Sequence, residues 1–447
     1  MRALSIATVF VAAAGYLVIW IASKALPPAG YVDFMVFWGL FFALTGLIDG
    51  LMQETARGVT ARGVTAARHN REGAEPQETG ADRGSARPFA LAGGFALAFG
   101  LLSLVSAPLW ATSVSPAHPL WAAILTATGL ASFAFQAILC GLISAASRWR
   151  EFAWLIAIDS GIRLLLAALA WWLGWGVVSF FIITVIGAGT WAAFALLPGV
   201  CPLLSHRADI PARAFVQRGL KAMLASGANA VLITGFPVLL RATTDLDFAG
   251  ASGTGEELSS AGGAAGAGAV LAGTITAVTL TRAPLLVPLQ RFQPALIVHF
   301  TKRREQVLRA AAAPALAIIA IGAVGGVAAY LVGRPIMALL FDEAYLVSPA
   351  ALGLLTFAST GTALLMVTGS AALAAGRHDL YWFGWAIATV AAVGLLLVDT
   401  TPELRSVLAL GIGPLVGVTL QLWRLQRLPT RPSRAEADAG DVVKEKA

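Results

Sequence analysis

Residues 24–59 read KALPPAGYVDFMVFWGLFFALTGLIDGLMQETARGV. Fifteen uncharged residues separate Asp33 from Asp49, and most of them are large and apolar. A surface helix of a soluble domain keeps one polar face, and this stretch has none. A bilayer-spanning helix needs about 20 mainly apolar residues. We therefore predict a transmembrane helix over 32–53.

The whole chain has the same character. Of its 447 residues, 58% are hydrophobic and 12% are charged, whereas a soluble domain carries about 25% charged residues. We therefore predict an all-α membrane protein with twelve transmembrane helices. The segments of spanning length lie near 3–23, 32–53, 89–110, 119–145, 152–172, 175–198, 219–241, 266–298, 312–332, 349–372, 380–398 and 404–424.

The basic residues test this count, because Lys and Arg are enriched in the cytoplasmic loops of membrane proteins. With the N-terminus placed in the cytoplasm, 24 of the 31 basic residues fall on the cytoplasmic side and four fall outside. The remaining three lie inside predicted spans: Arg163, Arg282 and Arg291. The asymmetry predicts a multi-pass protein of the cytoplasmic membrane with both termini in the cytoplasm.

Several functional classes find no support in the sequence. It shows no phosphate-binding loop, zinc motif or nucleophile elbow, so we expect no enzyme, no cofactor and no metal site. Cys140 and Cys201 fall in or beside different spans and form no redox motif. The net charge of +7 comes from cytoplasmic-loop arginines, so we expect no nucleic-acid partner. The first apolar run is too long for a signal peptide.

Three stretches look non-helical by composition. Residues 58–88 are polar and arginine-rich, which predicts a flexible cytoplasmic loop. Residues 243–265 are rich in Gly, Ser and Ala, which predicts a flexible outer loop. Residues 425–447 have the composition of a disordered cytoplasmic tail.

The chain also resembles itself. ISAASRWREF (143–152) follows the fourth span and ALAAGRHDLY (372–381) follows the tenth. Aligning Arg148 with Arg377 pairs a small-residue helix end, an arginine and an aromatic helix start in both. The repeat predicts two six-helix lobes, 1–205 and 206–424, related by an axis along the membrane normal.

The stretch at 24–59 resembles the start of polysaccharide-transporter flippases of the MOP superfamily, and FDEAYLVSPAALGLLTFAS (341–359) resembles their connection between helices nine and ten. The resemblance implies two lobes around a central cavity lined largely by helices one, two, seven and eight. It also implies export of a polyprenyl-(pyro)phosphate-linked saccharide for cell-envelope assembly. Membrane lipids and a glycosyltransferase or polymerase of the same pathway would be partners. The chain departs from the family in its LPPAGY turn, and it lacks the fourteen helices of lipid II flippases.

Two alternatives stay open. One is an ion-coupled multidrug-type antiporter of the same fold, whose cationic substrates would favour acidic residues in the site. The other is a non-transport scaffold for membrane glycosyltransferases.

A charge at the bilayer centre costs about 2.5–3.5 kcal/mol on insertion scales, so charged residues inside spans are candidate site residues. Arg282 has no acidic residue within one helical turn. We predict that it faces the central cavity and binds the lipid phosphate, because its planar fork offers paired donors. The alternative is a buried structural arginine that helix-end carbonyls or an acidic residue of another helix satisfy. Arg291 lies closer to the cytoplasm and is the candidate entry-side contact, although an interfacial arginine that only reaches for the headgroups would look the same.

Asp159 and Arg163 are four residues apart on one helix and can therefore pair. The pair either packs the N-lobe or couples ion movement to transport through Asp159. Glu54 and Arg57 are expected to pair at the cytoplasmic end of the second helix, and Asp49, which is deeper, can face the cavity.

Lys24 and Asp33 flank the first outer turn. They either anchor it at the interface or form an outer gate, in which Lys24 attracts the anionic substrate and Asp33 holds the gate closed. On the seventh helix, Asn229 can hydrogen-bond across the cavity, and Gly235 and Pro237 make the helix easy to bend. The alternative is that the small residues of this helix only pack the lobe.

Overall fold

The computed structural model describes residues 2–71, 85–251, 261–302 and 307–427. Regular structure in these ranges is helical, apart from an isolated β-bridge between Ser85 and Pro211. The α-helices are α1 Arg2–Ala25, α2 Pro28–Arg71, α3 Pro88–Val114, α4 Pro119–Ala145, α5 Trp149–Trp172, α6 Val177–Ile186, α7 Thr190–Ala195, α8 Ala212–Ile233, α9 Phe236–Ala251, α10 Ala261–Lys302, α11 Val307–Leu340, α12 Pro349–Ala374, α13 His378–Leu396 and α14 Pro402–Gln426.

The predicted number of spans is confirmed. Within the described residues, eleven helices are long and apolar enough to cross a membrane, or twelve if one bent pair counts as a single span. That pair is α8 and the start of α9, whose axes differ by 61°. The sixth span contains α6, a 3-10 turn at Gly187–Gly189 and α7.

The predicted loops were too long. Helix α2 continues to Arg71, so the prediction of a flexible loop was wrong over 58–71. This part is rich in Ala and Arg, which favour helix, and contains no proline to end it. The outer-loop prediction was also wrong at both ends, because α9 runs to Ala251 and α10 begins at Ala261. Residues 72–84 and 252–260 and the tail beyond 427 lie outside the described ranges.

The chain divides into two compact units. The first contains Met1–Ala277, Val332–Ser348 and Asp399–Glu403. The second contains Val278–Leu331, Pro349–Val398 and the chain from Leu404. The first unit extends past residues 205–206, where the sequence places the boundary between the two lobes. That boundary stays a prediction.

In the first unit, α2 packs along α8, and the two backbones come close together at Gly46 and Gly50. A Cβ at Gly46 would lie 2.7 Å from the Cβ of Ala230, and a Cβ at Gly50 would overlap the backbone of Met223. Small residues allow such close approach, and membrane helices depend on it because lipid provides no hydrophobic drive for their association. Helix α2 therefore forms a rigid support along which the residues of the site are arranged.

The predicted repeat is visible in the two arginine turns. Ser147 and Gly376, which the alignment pairs, both have a positive φ, 56° and 77°. The hydrogen bonds match as well, since Arg148 N donates to Ile143 O at 3.0 Å and Arg377 N donates to Ala372 O at 2.9 Å. Each half thus ends its fourth helix and starts its fifth with the same backbone geometry.

Candidate functional site

An ion pair on the side predicted to be extracytoplasmic, here called the outer side, joins distant parts of the first unit. Arg241 of α9 donates from Nη1 to Asp33 Oδ1 at 3.1 Å. Ser115, which follows α3, donates from Oγ to the other carboxylate oxygen at 2.8 Å. Asp33 is 8% exposed, so its charge is compensated by two partners rather than by solvent.

The turn between α1 and α2 makes further contacts on the same side. Lys24 Nζ lies 2.7 Å from Asp342 Oδ1, and Trp20 Nε1 donates to Leu340 O at 2.8 Å. The hydroxyl of Tyr31 lies 3.1 Å from Thr276 Oγ1. With the Asp33 contacts, these interactions form what we call the outer network. The twelve-helix topology places these residues at outer helix ends, except Thr276, which lies within the eighth span.

Tyr345 also belongs to the outer network. Its ring meets that of Tyr31 edge to face, with centroids 5.1 Å apart, and its hydroxyl donates to Ser23 O at 3.5 Å. Burial, with a smaller contribution from the Asp342 carboxylate, raises the pKa of Tyr345 to about 12. The phenol therefore stays protonated, and a donor, at physiological pH.

Both residues predicted for an outer gate, Lys24 and Asp33, thus bind partners from the second half of the sequence. Their gating role stays a prediction. Sequence reasoning missed the partners, Arg241 and Asp342, because it treated Arg241 only as an outer-loop charge. The sequence does place all of these charged residues at outer helix ends. It does not indicate which of them pair with each other.

A second ionic group lies in the core of the first unit. Arg163 Nη1 donates to Asp159 Oδ2 at 2.7 Å, which confirms the predicted pair. Arg163 Nε also donates to Thr184 O at 3.0 Å, and the guanidinium lies 5.3 Å from the centre of the Phe42 ring. A Cβ on Gly187 would overlap both members of the pair. The pair is therefore enclosed by α2, α5 and the sixth span.

Helix α2 carries two further acidic residues. Glu54 pairs with Arg57 at 2.6 Å, as predicted, and Asp209 joins them at 3.3 Å from Arg57. Asp49 is half-buried and makes no hydrogen bond or ion pair within the part of the chain that the structure describes. It is therefore the acidic residue of α2 whose charge the described residues leave unpaired.

The predicted substrate contacts are placed as follows. Arg282 lies on α10, is 5% exposed and belongs to the second unit. The side chain of Arg291 is outside the described structure. Asn229 is half-buried on α8, and its Oδ1 accepts no hydrogen bond among the described residues. That these three residues and Lys24 line a central cavity and bind substrate stays a prediction.

In the described ranges, no three His, Cys, Asp or Glu side chains come close enough together to hold a metal ion. Of the two free cysteines, Cys140 is buried and Cys201 is exposed.

Two relatives show where the chain belongs. An uncharacterized protein of Mycobacterium bovis is 37% identical over 423 residues, which cover 94% of this chain and 90% of that protein. "Uncharacterized protein Rv1510" of Mycobacterium tuberculosis is 37% identical over 426 residues, or 95% and 90% of the two chains. The chain belongs to the family of these mycobacterial proteins. No protein-family model matches this family member.

Solved structures show the fold. A multidrug resistance MATE transporter of the MOP superfamily in an inward-facing conformation matches with a TM-score of 0.68 at 16% identity, over 94% of this chain and 95% of that one. A MOP-superfamily transporter from Pyrococcus furiosus matches with a TM-score of 0.63 at 16% identity, over 95% of both chains. The chain therefore has the fold of MOP-superfamily transporters.

Proposed function

We propose that the protein is a transporter that moves a polyprenyl-(pyro)phosphate-linked saccharide from the inner to the outer leaflet of the cytoplasmic membrane. The observation that carries the proposal is the charge of α10. Arg282 is buried in a segment of spanning length, Gly268–Leu286, and the sequence has no Asp or Glu from 258 to 304. A spanning helix with arginine and no acidic residue suits an anionic substrate.

Pocket charge is a reasonable guide to function on this fold. The Pyrococcus furiosus neighbour is described as having a binding pocket of reverse polarity, which suggests a different function. Arginine presents paired donors to phosphate oxygens and stays charged at any working pH. A basic α10 therefore fits a phosphate-bearing lipid better than the cations expected for a multidrug site.

The substrate explains the other requirements. A saccharide is polar and needs a wet path, whereas its lipid tail stays in the bilayer. The sequence shows no ATP-binding motif, so an ion gradient, the membrane potential or substrate supply would drive transport. We assign ion coupling to Asp159 and Arg163, because they form a buried pair that a change of protonation or a bound cation can break.

A second candidate is the ion-coupled multidrug-type antiporter. It is favoured by Asp49, whose carboxylate is unpaired within the described structure, and by the multidrug resistance proteins of the same fold. In this case organic cations would compete for transport, and an Asp49→Asn variant would lose their export.

Purified protein in lipid vesicles, supplied with a polyprenyl-diphosphate-linked saccharide, tests the first candidate. We expect wild-type protein to move the saccharide, Arg282→Ala to abolish transport with near-normal thermal stability, and Arg282→Lys to keep part of it because the charge remains. The matched control is Arg334→Ala, which removes an exposed arginine of α11 and should not reduce transport. Normal transport by Arg282→Ala, or its failure to fold, would remove Arg282 as the phosphate contact.

The same vesicles test the scaffold alternative. If they move no saccharide while loss of the protein in cells still stops polymer synthesis, the protein acts by holding glycosyltransferases or a polymerase in place. If lipid-linked intermediates accumulate inside depleted cells and the vesicles transport them, the flippase proposal stands.

A further inference from the structure

We propose that residues 236–244, the first turns of α9, form an outer latch that pivots at Thr234–Gly235 and is held closed by the Arg241–Asp33 ion pair. The inference rests on the proposed transport function in one respect, namely that the outer side must open once per cycle. It rests on three observations: a break between two helices, the contact of that break with α2, and an ion pair near the other end of the segment.

The break lies between α8 and α9. Helix α8 ends at Ile233, α9 begins at Phe236, and the axes differ by 61°. Two residues, Thr234 and Gly235, join the helices. Pro237 has no backbone N–H and cannot extend the hydrogen bonds of α8 into α9. The junction therefore has the composition of a hinge, and motion there breaks no continuous helix.

The hinge packs against α2. A Cβ at Gly39 would lie 3.0 Å from Thr234 O and 3.3 Å from Pro237 Cγ, and a Cβ at Gly235 would lie 3.3 Å from Ala43 Cβ. The hinge thus rests directly on the α2 backbone. Such a smooth surface fixes the position of the pivot without interlocking side chains that would prevent rotation.

Through Arg241, the latch also contacts α2 at a second place. Asp33 and Gly39 are six residues apart on α2, or about 9 Å at 1.5 Å per residue. The hinge and the ion pair are therefore held by one rigid element. The side chains of Arg241 and Asp33 are 13% and 11% exposed, so the pair is shielded, and breaking it costs more than breaking a surface pair.

Closing the latch buries one face of α9. Phe236, Leu240, Thr243 and Thr244 are all less than 9% exposed, and their spacing places them on one side of a helix. The hydroxyls of Thr243 and Thr244 donate to α9 carbonyls. Opening would expose this face, and a cysteine at Thr244 can report it without touching the ion pair.

The test measures the outer accessibility of that cysteine. A Thr244→Cys reporter, in a Cys140→Ser/Cys201→Ser background, is labelled with a membrane-impermeant maleimide. We expect Asp33→Asn and Arg241→Gln to raise the labelling rate about tenfold, because a hydrogen bond to a charged group shifts an opening equilibrium by about that factor. The exchange Asp33→Arg/Arg241→Asp should restore slow labelling.

Arg334→Gln is the matched control. It removes an exposed arginine that the twelve-helix topology places on the same side of the membrane and that is not part of the ion pair, so the reporter rate should stay at the wild-type value. Equal rates in all variants, or an equal rise with Arg334→Gln, would overturn the latch.

A second measurement places the latch in the transport cycle. Asp33→Cys/Arg241→Cys is bridged by a short bis-methanethiosulfonate in saccharide-loaded vesicles. Transport should stop and should return when a reductant releases the bridge, whereas unchanged transport would contradict the proposal. If the wild-type protein moves no saccharide in these vesicles, the proposed function fails, and the labelling rates alone decide on the latch.

Discussion

The two arginine turns have the same backbone geometry, but the helices that follow them bury different side chains. In the alignment of Arg148 with Arg377, Asp159 of α5 corresponds to Ala388 of α13, and Arg163 corresponds to Ala392. All four side chains are shielded, and both alanines are fully buried. One half therefore has an ion pair where the other has two methyl groups.

The packing around these positions is alike. In the first unit, Gly187 of the sixth span lies against Asp159 and Arg163. In the second unit, Gly413 and Gly417 of α14 lie against Ala392 and Ala388. In both halves, glycine on the next span thus leaves room for these side chains. The second half packs there with alanines and without any charged residue. Replacing a buried ion pair by apolar residues is often neutral or stabilising, so packing alone does not explain the charges in α5.

The largest expected effect comes from breaking one side of the pair. Arg163→Ala would leave Asp159 buried without its partner, at a cost of about 3–5 kcal/mol in the free energy of unfolding. A large fall in the thermal midpoint in detergent would show this. The matched control is Arg150→Ala, which removes an exposed arginine from the same helix and should shift the midpoint little. Equal midpoints would mean that water or another group already compensates Asp159.

A smaller effect on stability, with a large effect on function, is expected when α5 is made apolar like α13. Asp159→Leu/Arg163→Met keeps roughly the side-chain volume and leaves no uncompensated charge, so the midpoint should return close to the wild-type value. Transport in vesicles should lose its dependence on the ion gradient. If gradient-dependent transport survives in the double variant, the pair is structural and Asp159 is not the coupling residue.

The same comparison shows what sequence can and cannot predict. Asp159 and Arg163 are four residues apart on one helix, so their pairing follows from helical geometry. The turns at Ser147 and Gly376 are also local, and their repetition was visible in the sequence. Such features depend on a few neighbouring residues and need no knowledge of how helices pack.

The outer network is different. Asp33 and Arg241 are 208 residues apart, and Lys24 and Asp342 are 318 apart. Topology places all four on one side of the membrane, but the choice of partners depends on how the helices pack. The extension of α2 to Arg71 was missed for another reason. Polar composition argues against a core position, but it does not by itself distinguish a helix from a loop.

The smallest expected effect concerns the two turns themselves. Ser147 has a φ of 56°, a region that costs an L-residue about 1–2 kcal/mol, whereas Gly376 adopts it freely. Gly376→Ala should therefore lower the free energy of unfolding by about 1 kcal/mol. Ser147→Gly should leave it unchanged or raise it slightly, because relief of strain offsets the greater freedom of glycine in the unfolded chain.

Ala146→Gly is the control for the turn at Ser147. Ala146 has an ordinary φ of −78°, so glycine there relieves no strain and should cost about 0.5–1 kcal/mol. Thermal midpoints of the three variants decide the matter, with Ala146→Gly and Gly376→Ala below the wild type and Ser147→Gly at or above it. If Ser147→Gly falls as far as Ala146→Gly, the serine is not strained, and the two halves reach the same turn at equal cost.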